Sequence, residues 1–218
     1  MSIRMSKTSK MGCRSWSLEA GETCPGSFDP LTKELVPACA GCYALGGFYN
    51  MKSVKEPRQE NREDWKRADW VQDMIAELDN DRYFRWFDSG DMYHHGLAVK
   101  ILEVMQHTPW CKHWLPTRMH KFSKFLGVIE QMQALPNVVV RLSSDSITGE
   151  TIEGETTSTI VPTSDDVREG QQLCPAYTNK GKCGKCRACW DKGVQVIAYP
   201  AHGAKMLKNI KIIVENAE

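Results

Sequence analysis

Tyr83-Phe84-Arg85-Trp86-Phe87 runs into Asp88-Ser89-Gly90-Asp91, a short aromatic stretch followed by a polar loop. That is the pattern of a buried strand ending in functional groups. Downstream the unit repeats. Leu97, Ile101, Leu102 and Met105 share one helical face, Thr108-Pro109 stops that helix, and Cys111 to Leu115 reads as a strand ending in Pro116-Thr117-Arg118. A third helix carries Phe122, Phe125, Leu126, Ile129 and Met132, and leads to Val138-Val139-Val140-Arg141-Leu142, the clearest strand of the chain. Strand, helix, strand, helix, strand predicts parallel strands with right-handed crossovers, hence an α/β sheet or a partial barrel. Ligand chemistry then collects at the C-terminal strand ends, where Asp88 to Asp91, Thr117-Arg118 and Ser143-Ser144-Asp145 lie.

Upstream, Ser2 to Gly12 is a polar, basic arm or sheet edge, and Cys13 to Leu18 alternates as a first strand. Glu56 to Leu78 predicts one helix, with Val71, Met74, Ile75 and Leu78 on its apolar side. Cys24 to Gly47 is so rich in Cys, Pro, Gly and small residues that a metal is expected to hold it. Ile147 to Gly170 reads as a mobile polar excursion with an apolar patch at Ile160-Val161. Val194 to Tyr199 is a closing strand, and Met206 to Val214 a last helix or strand. One domain over 1–218 is expected: a core at 13–146 with its loop at 24–47, then a cysteine loop and closing strand at 171–202.

With 28 basic and 27 acidic residues the net charge is +1, so the balance demands neither a polyanion nor a membrane surface, and nucleic acid is not indicated. No apolar run approaches the roughly 18 residues of a membrane span, and the basic N-terminus lacks an apolar signal region, which predicts a cytoplasmic protein.

Seven of nine cysteines fall into two loops: Cys24, Cys39 and Cys42, then Cys174, Cys183, Cys186 and Cys189. An odd count with tight C-x2-C pairs favours reduced ligands over disulfides. The second set, C-x8-C-x2-C-x2-C, supplies the four thiolates of a 4Fe-4S cube, with structural zinc as the alternative. The first supplies three, leaving a fourth position for Cys13, a histidine or an exogenous molecule, unless both loops share one cluster. One or two clusters are therefore expected. Asp88 and Asp91 are candidates to receive an amine, act as a base or cap a helix. His94-His95 suit a ligand, a proton carrier or a first helical turn. His202 follows the closing strand and either approaches a cluster or occupies a turn. Cys111 is assigned to the core. Trp65, Trp70, Trp86, Trp110, Trp114 and Trp190 are packing residues, and Trp190 also shields a cluster.

Cys39-x2-Cys42-Tyr43-Ala44 after Cys24-Pro25-Gly26, the strand Phe84 to Asp91, Pro116-Thr117-Arg118 and Cys183-x2-Cys186-x2-Cys189-Trp190 together resemble the gene-product-eighty-eight-like proteins of phages and mobile elements, related to the radical S-adenosylmethionine superfamily. The resemblance implies a partial (β/α) barrel in which Cys24, Cys39 and Cys42 hold a cube with one iron open to S-adenosylmethionine. It places Ser89, Gly90 and Asp91 at the cofactor's amino group, with Arg118, Arg141, Ser143 or Ser144 at its carboxylate or ribose. The C-terminal four cysteines resemble an auxiliary cluster. The function implied is redox or radical chemistry on an unidentified small molecule in the host-cell cytoplasm. The alternative is a non-enzymatic phage accessory protein with structural iron–sulfur or zinc sites and a host-protein partner.

Overall fold

A computed structural model describes residues 3–215. Eight strands form one sheet: β1 (Ser6–Lys7), β2 (Arg14–Trp16), β3 (Tyr83–Trp86), β4 (Lys112–Thr117), β5 (Val138–Ser143), β6 (Thr157–Val161), β7 (Gln171–Leu173) and β8 (Val196–Pro200). Their order is β1-β2-β3-β4-β5-β6-β8-β7. Only β1, on the edge, is antiparallel to its neighbour; every other pairing is parallel. The α/β expectation holds in that form.

The helices are α1 (Pro37–Ala40), α2 (Lys52–Asp64), α3 (Trp70–Glu77), α4 (His95–His107), α5 (Ser123–Ala134) and α6 (Ala204–Glu215). The single helix expected over Glu56 to Leu78 is two, because Trp65 and Trp70 are both buried in one core. Five residues apart on a continuous helix they would diverge by about 140°. The turn between α2 and α3 returns both indoles to the same side. It is held by the Arg67 guanidinium on Asp64, Asp69 and Asp73.

Strand alternation divides the sheet into two unlike faces. Trp16, Phe84, Trp86, Leu115, Val138, Val140 and Leu142 face α3, α4 and α5 in the main core. Register places Ser15 beside Arg85, Arg85 beside Trp114, and Pro116 beside Arg141 on the opposite face. Two expectations about packing fail locally: Leu126 and Trp110 are exposed, the latter at 39%. The stretch from Ile147 to Gly170 is not merely an excursion. It contains β6, whose Thr157, Ser158, Thr159 and Val161 are buried between β5 and β8.

His113 is fully buried on the helix-packed face. Its Nδ1 accepts from Trp86 Nε1 at 3.3 Å, and its Nε2 lies 2.8 Å from Thr108 Oγ1, whose proton goes to Val104 O. This network requires the neutral Nε2–H tautomer. Burial pushes the ring's pKa down to about 3 from 6.5. The unfolded chain therefore binds more protons between those values, and the stability of the neutral ring, complete above the ordinary value, is lost as pH falls. Urea midpoints should fall more steeply from about pH 7 to pH 4 in the native chain than in His113→Gln. Parallel profiles would remove His113 from the acid response.

Candidate functional site

The loop after β2 is fastened to the strand ends by its backbone. Leu18 N–H donates to Ser89 O at 3.1 Å, and Asp91 N–H donates to Thr23 O at 3.0 Å. Gly90, at φ +77°, leaves no room for a side chain: a Cβ would sit 2.6 Å from Leu18 Cβ and 2.7 Å from Thr23 Oγ1. Gly26 presses on Arg118 and Gly41 on the Met206 backbone of α6. Ala38 N–H donates to Asp145 O, and Lys121 Nζ to Gly26 O. The expectation that a metal must hold this loop is thus incomplete, since close glycine packing and hydrogen bonds support it independently. These supports bring Cys24, Cys39 and Cys42 within electrostatic reach of one another. Burial first, then the charge of Asp91, push the Cys24 thiol up to about 12.

The C-terminal cysteine loop lies against the other face of the sheet. Cys174 N–H donates to Ala198 O of β8, and Cys183 N–H to Lys10 O near β2. Cys174, Cys183 and Cys189 share one cluster with Ile197, and Cys183 senses Cys186. Trp190 packs on Trp114 and Tyr83 and donates to Phe84 O at 2.9 Å. Arg141 is the clasp. Its guanidinium donates to Ala188 O at 2.8 Å, Asp191 O at 3.0 Å, Cys189 O at 3.3 Å, and Thr157 O and Gln195 O at 3.4 Å. That use is different from the one expected of Arg141 at a cofactor's carboxylate or ribose. Cys13, a candidate fourth ligand for the first set, packs against Met11, Trp114 and Trp190, the same cluster that Cys183 and Cys189 adjoin.

Burial raises the pKa of Cys183 and carries Cys189 up to about 11, while Lys10 and Arg187 oppose the shift at Cys183, and Tyr199 and Arg141 oppose it at Cys189. Those three cations have no carboxylate partner within ion-pair distance among the described residues. Lys10 lies over the rings of Tyr177 and Tyr199, and Arg187 and Arg141 donate to carbonyls. Tyr199 Oη is 3.7 Å from Cys189 Sγ. His202 stands between the two loops, its ring 6.3 Å from Tyr43 and 5.5 Å from Tyr177.

The remaining expected residues are spoken for by the protein. Ser89 Oγ donates to Leu18 O and accepts from Arg58 Nε. Asp91 accepts from Thr117 Oγ1, Arg118 N–H and Met92 N–H, and burial raises its pKa. Arg118 reaches Asp145 and Ser144 O. Ser143 ends β5, half-buried. Asp88 takes both hydrogen bonds of Arg58 Nη2, at 2.8 and 2.9 Å. His94 caps α4 by accepting from Gly96 N–H, so the pair His94-His95 opens a helix, in line with the first-turn alternative. Cys111 is fully buried. Sequence reasoning missed Arg58 and Arg85; the signal for Arg85 was its place in the alternation of β3, opposite Phe84 and Trp86.

Among the described residues, no three His, Cys, Asp or Glu side chains are arranged to hold a single metal ion. No helix among them is long and apolar enough to cross a membrane. The fold and these loops define a mostly parallel α/β protein with two cysteine sets. The chain belongs to the gene product 88 family, whose model matches residues 3–192 and so takes in all nine cysteines. No curated protein and no solved structure matches it.

Proposed function

We propose that the protein is an iron–sulfur protein with redox or radical chemistry on a small molecule. The observation that carries this reading is the C-terminal set: cysteines gathered on one sheet face with Lys10, Arg141 and Arg187 around them and, among the described residues, no carboxylate paired to those cations. Arg141 is fully buried with only carbonyl oxygens as hydrogen-bond partners, and a buried charge without an anionic partner is costly. Four thiolates and the net negative cube they hold would offset that cost. The donor chemistry fits, because thiolates are the ligands of such clusters. A cube also spreads its thiolates around a body several ångströms across, unlike the tight shell of a zinc ion.

Cys174, Cys183, Cys186 and Cys189 would hold one cube, and Cys24, Cys39 and Cys42 a second with one iron left for a small molecule. A bound cluster would supply one-electron transfer. The chain's own residues position and insulate: Arg141 fixes the loop, Trp190 covers it from the strand side, and His202 stacks between the loops. The order β2 to β6 and then β8, parallel throughout, supports the partial (β/α) barrel.

Iron, zinc and sulfide per chain, measured on anaerobically purified protein, test the reading. About four or eight irons are expected, from one or two cubes. A reduced-state electron paramagnetic resonance spectrum altered by S-adenosylmethionine would support an open iron. Zinc without iron would overturn the redox function and leave an accessory protein with structural sites.

A further inference from the structure

Arg85 stands at the middle of the face opposite the helices, between the two cysteine loops. Its guanidinium lies over the Trp114 ring, 4.7 Å from the centroid. Its Nε is sequestered from solvent and has no hydrogen-bond partner. Among the described residues it forms no ion pair within 4 Å. The nearby carboxylate, Asp88, is already committed to Arg58, and it also accepts from Tyr49 Oη at 3.5 Å. Of the groups that bear on the charge of Arg85, namely Tyr43, Asp88, Tyr199 and Tyr49, only Asp88 is anionic at neutral pH, the three phenols being uncharged. Cys189 senses it more weakly than Arg141.

A half-buried guanidinium whose Nε is shielded from water without an acceptor bears the cost of that lost hydrogen bond, and its Nη groups stay available to an anionic partner that would offset the cost. We propose that Arg85, stacked on Trp114 and with Tyr43 and Tyr199 within electrostatic range, anchors a binding site for a carboxylate-bearing small molecule. A planar fork suits a carboxylate, and aromatic rings suit the organic part attached to it. One guanidinium balances one negative charge; a phosphate dianion would require more. The site does not depend on iron, although under the proposed function it would take the substrate or cofactor carboxylate.

The test uses anaerobically purified full chain, with acetate and inorganic phosphate as probes in thermal unfolding, and the Arg85→Met and Arg85→Lys variants. At about ten times its dissociation constant acetate should raise the midpoint of the native chain by roughly 3–6 °C. Arg85→Met should match or exceed the native midpoint without acetate, lose the acetate response and keep its iron content. Arg85→Lys should retain a weaker response. The proposal is overturned by no acetate response in the native chain, by an equal response in Arg85→Met, or by a larger response to phosphate. Loss of iron in Arg85→Met would also overturn it, assigning Arg85 to thiolate charge. Iron content in the native sample reads the cluster hypothesis separately, so the two can fail independently.

Discussion

Cys186→Ala protein is expected to lose about four irons per chain, one cube's worth, and to become protease-sensitive between Cys174 and Trp190. Between its anchors at Ala176 and Trp190 the loop has little apolar core beyond its thiols, with Tyr177 and Ala188 only partly buried. Lys180, Lys182 and Lys185 are exposed, and Cys186 itself is only half-buried. Without a bound group, the loop's ends are held by Cys174 N–H on Ala198 O and by Trp190 and Arg141, while its middle rests on the Cys183 N–H to Lys10 O and Lys182 Nζ to Ser9 O bonds. Metal binding and folding are coupled in such segments. Tryptic cleavage at the three lysines should accelerate at least about tenfold, the effect of losing about 1.4 kcal/mol of local protection. Cys111→Ala is the control. Cys111 is buried beside the main core, so its truncation costs some stability and leaves iron unchanged. Full iron in Cys186→Ala, or lost iron in folded Cys111→Ala, would reassign the ligands.

Arg141→Met should destabilise the fold by roughly 3–5 kcal/mol, because five carbonyl oxygens from three segments lose their donor while burial excludes replacement water. In a chain of this length that corresponds to a midpoint drop of roughly 6–20 °C. Arg141→Lys should recover only part, since an ammonium cannot fork toward the Ala188, Cys189 and Asp191 carbonyls simultaneously. Thermal unfolding of the two variants checks this. A loss below about 1 kcal/mol in Arg141→Met would show that the C-terminal loop is held by something else.

Much of the frame was legible in the residues. Val138 to Leu142, Phe84 to Trp86 and the face of Leu97, Ile101, Leu102 and Met105 became β5, β3 and α4 because their patterning matches strand and helix periods, which are local properties. The two cysteine sets were also visible, since short spacings alone force C-x2-C thiols near one another. The break after α2 was not legible: it is decided by which side of the sheet receives Trp65 and Trp70. Nor was β6, whose Thr-rich sequence reads as polar until β5 and β8 satisfy its backbone from both sides.

By itself the sequence determined a parallel α/β frame and reduced cysteines in two loops, because periodicity and spacing are encoded within a few residues of each position. Only the tertiary structure decided that Cys24 comes within electrostatic reach of Cys39 and Cys42, that Cys13 lies against the cluster Cys183 and Cys189 adjoin, and that Arg141 clasps the loop while Arg85, among the described residues, forms no ion pair. Those outcomes depend on strand register and sheet order, which bring together residues far apart in the chain, and one residue of slip would have turned Arg85 and Arg141 into the helix-packed core.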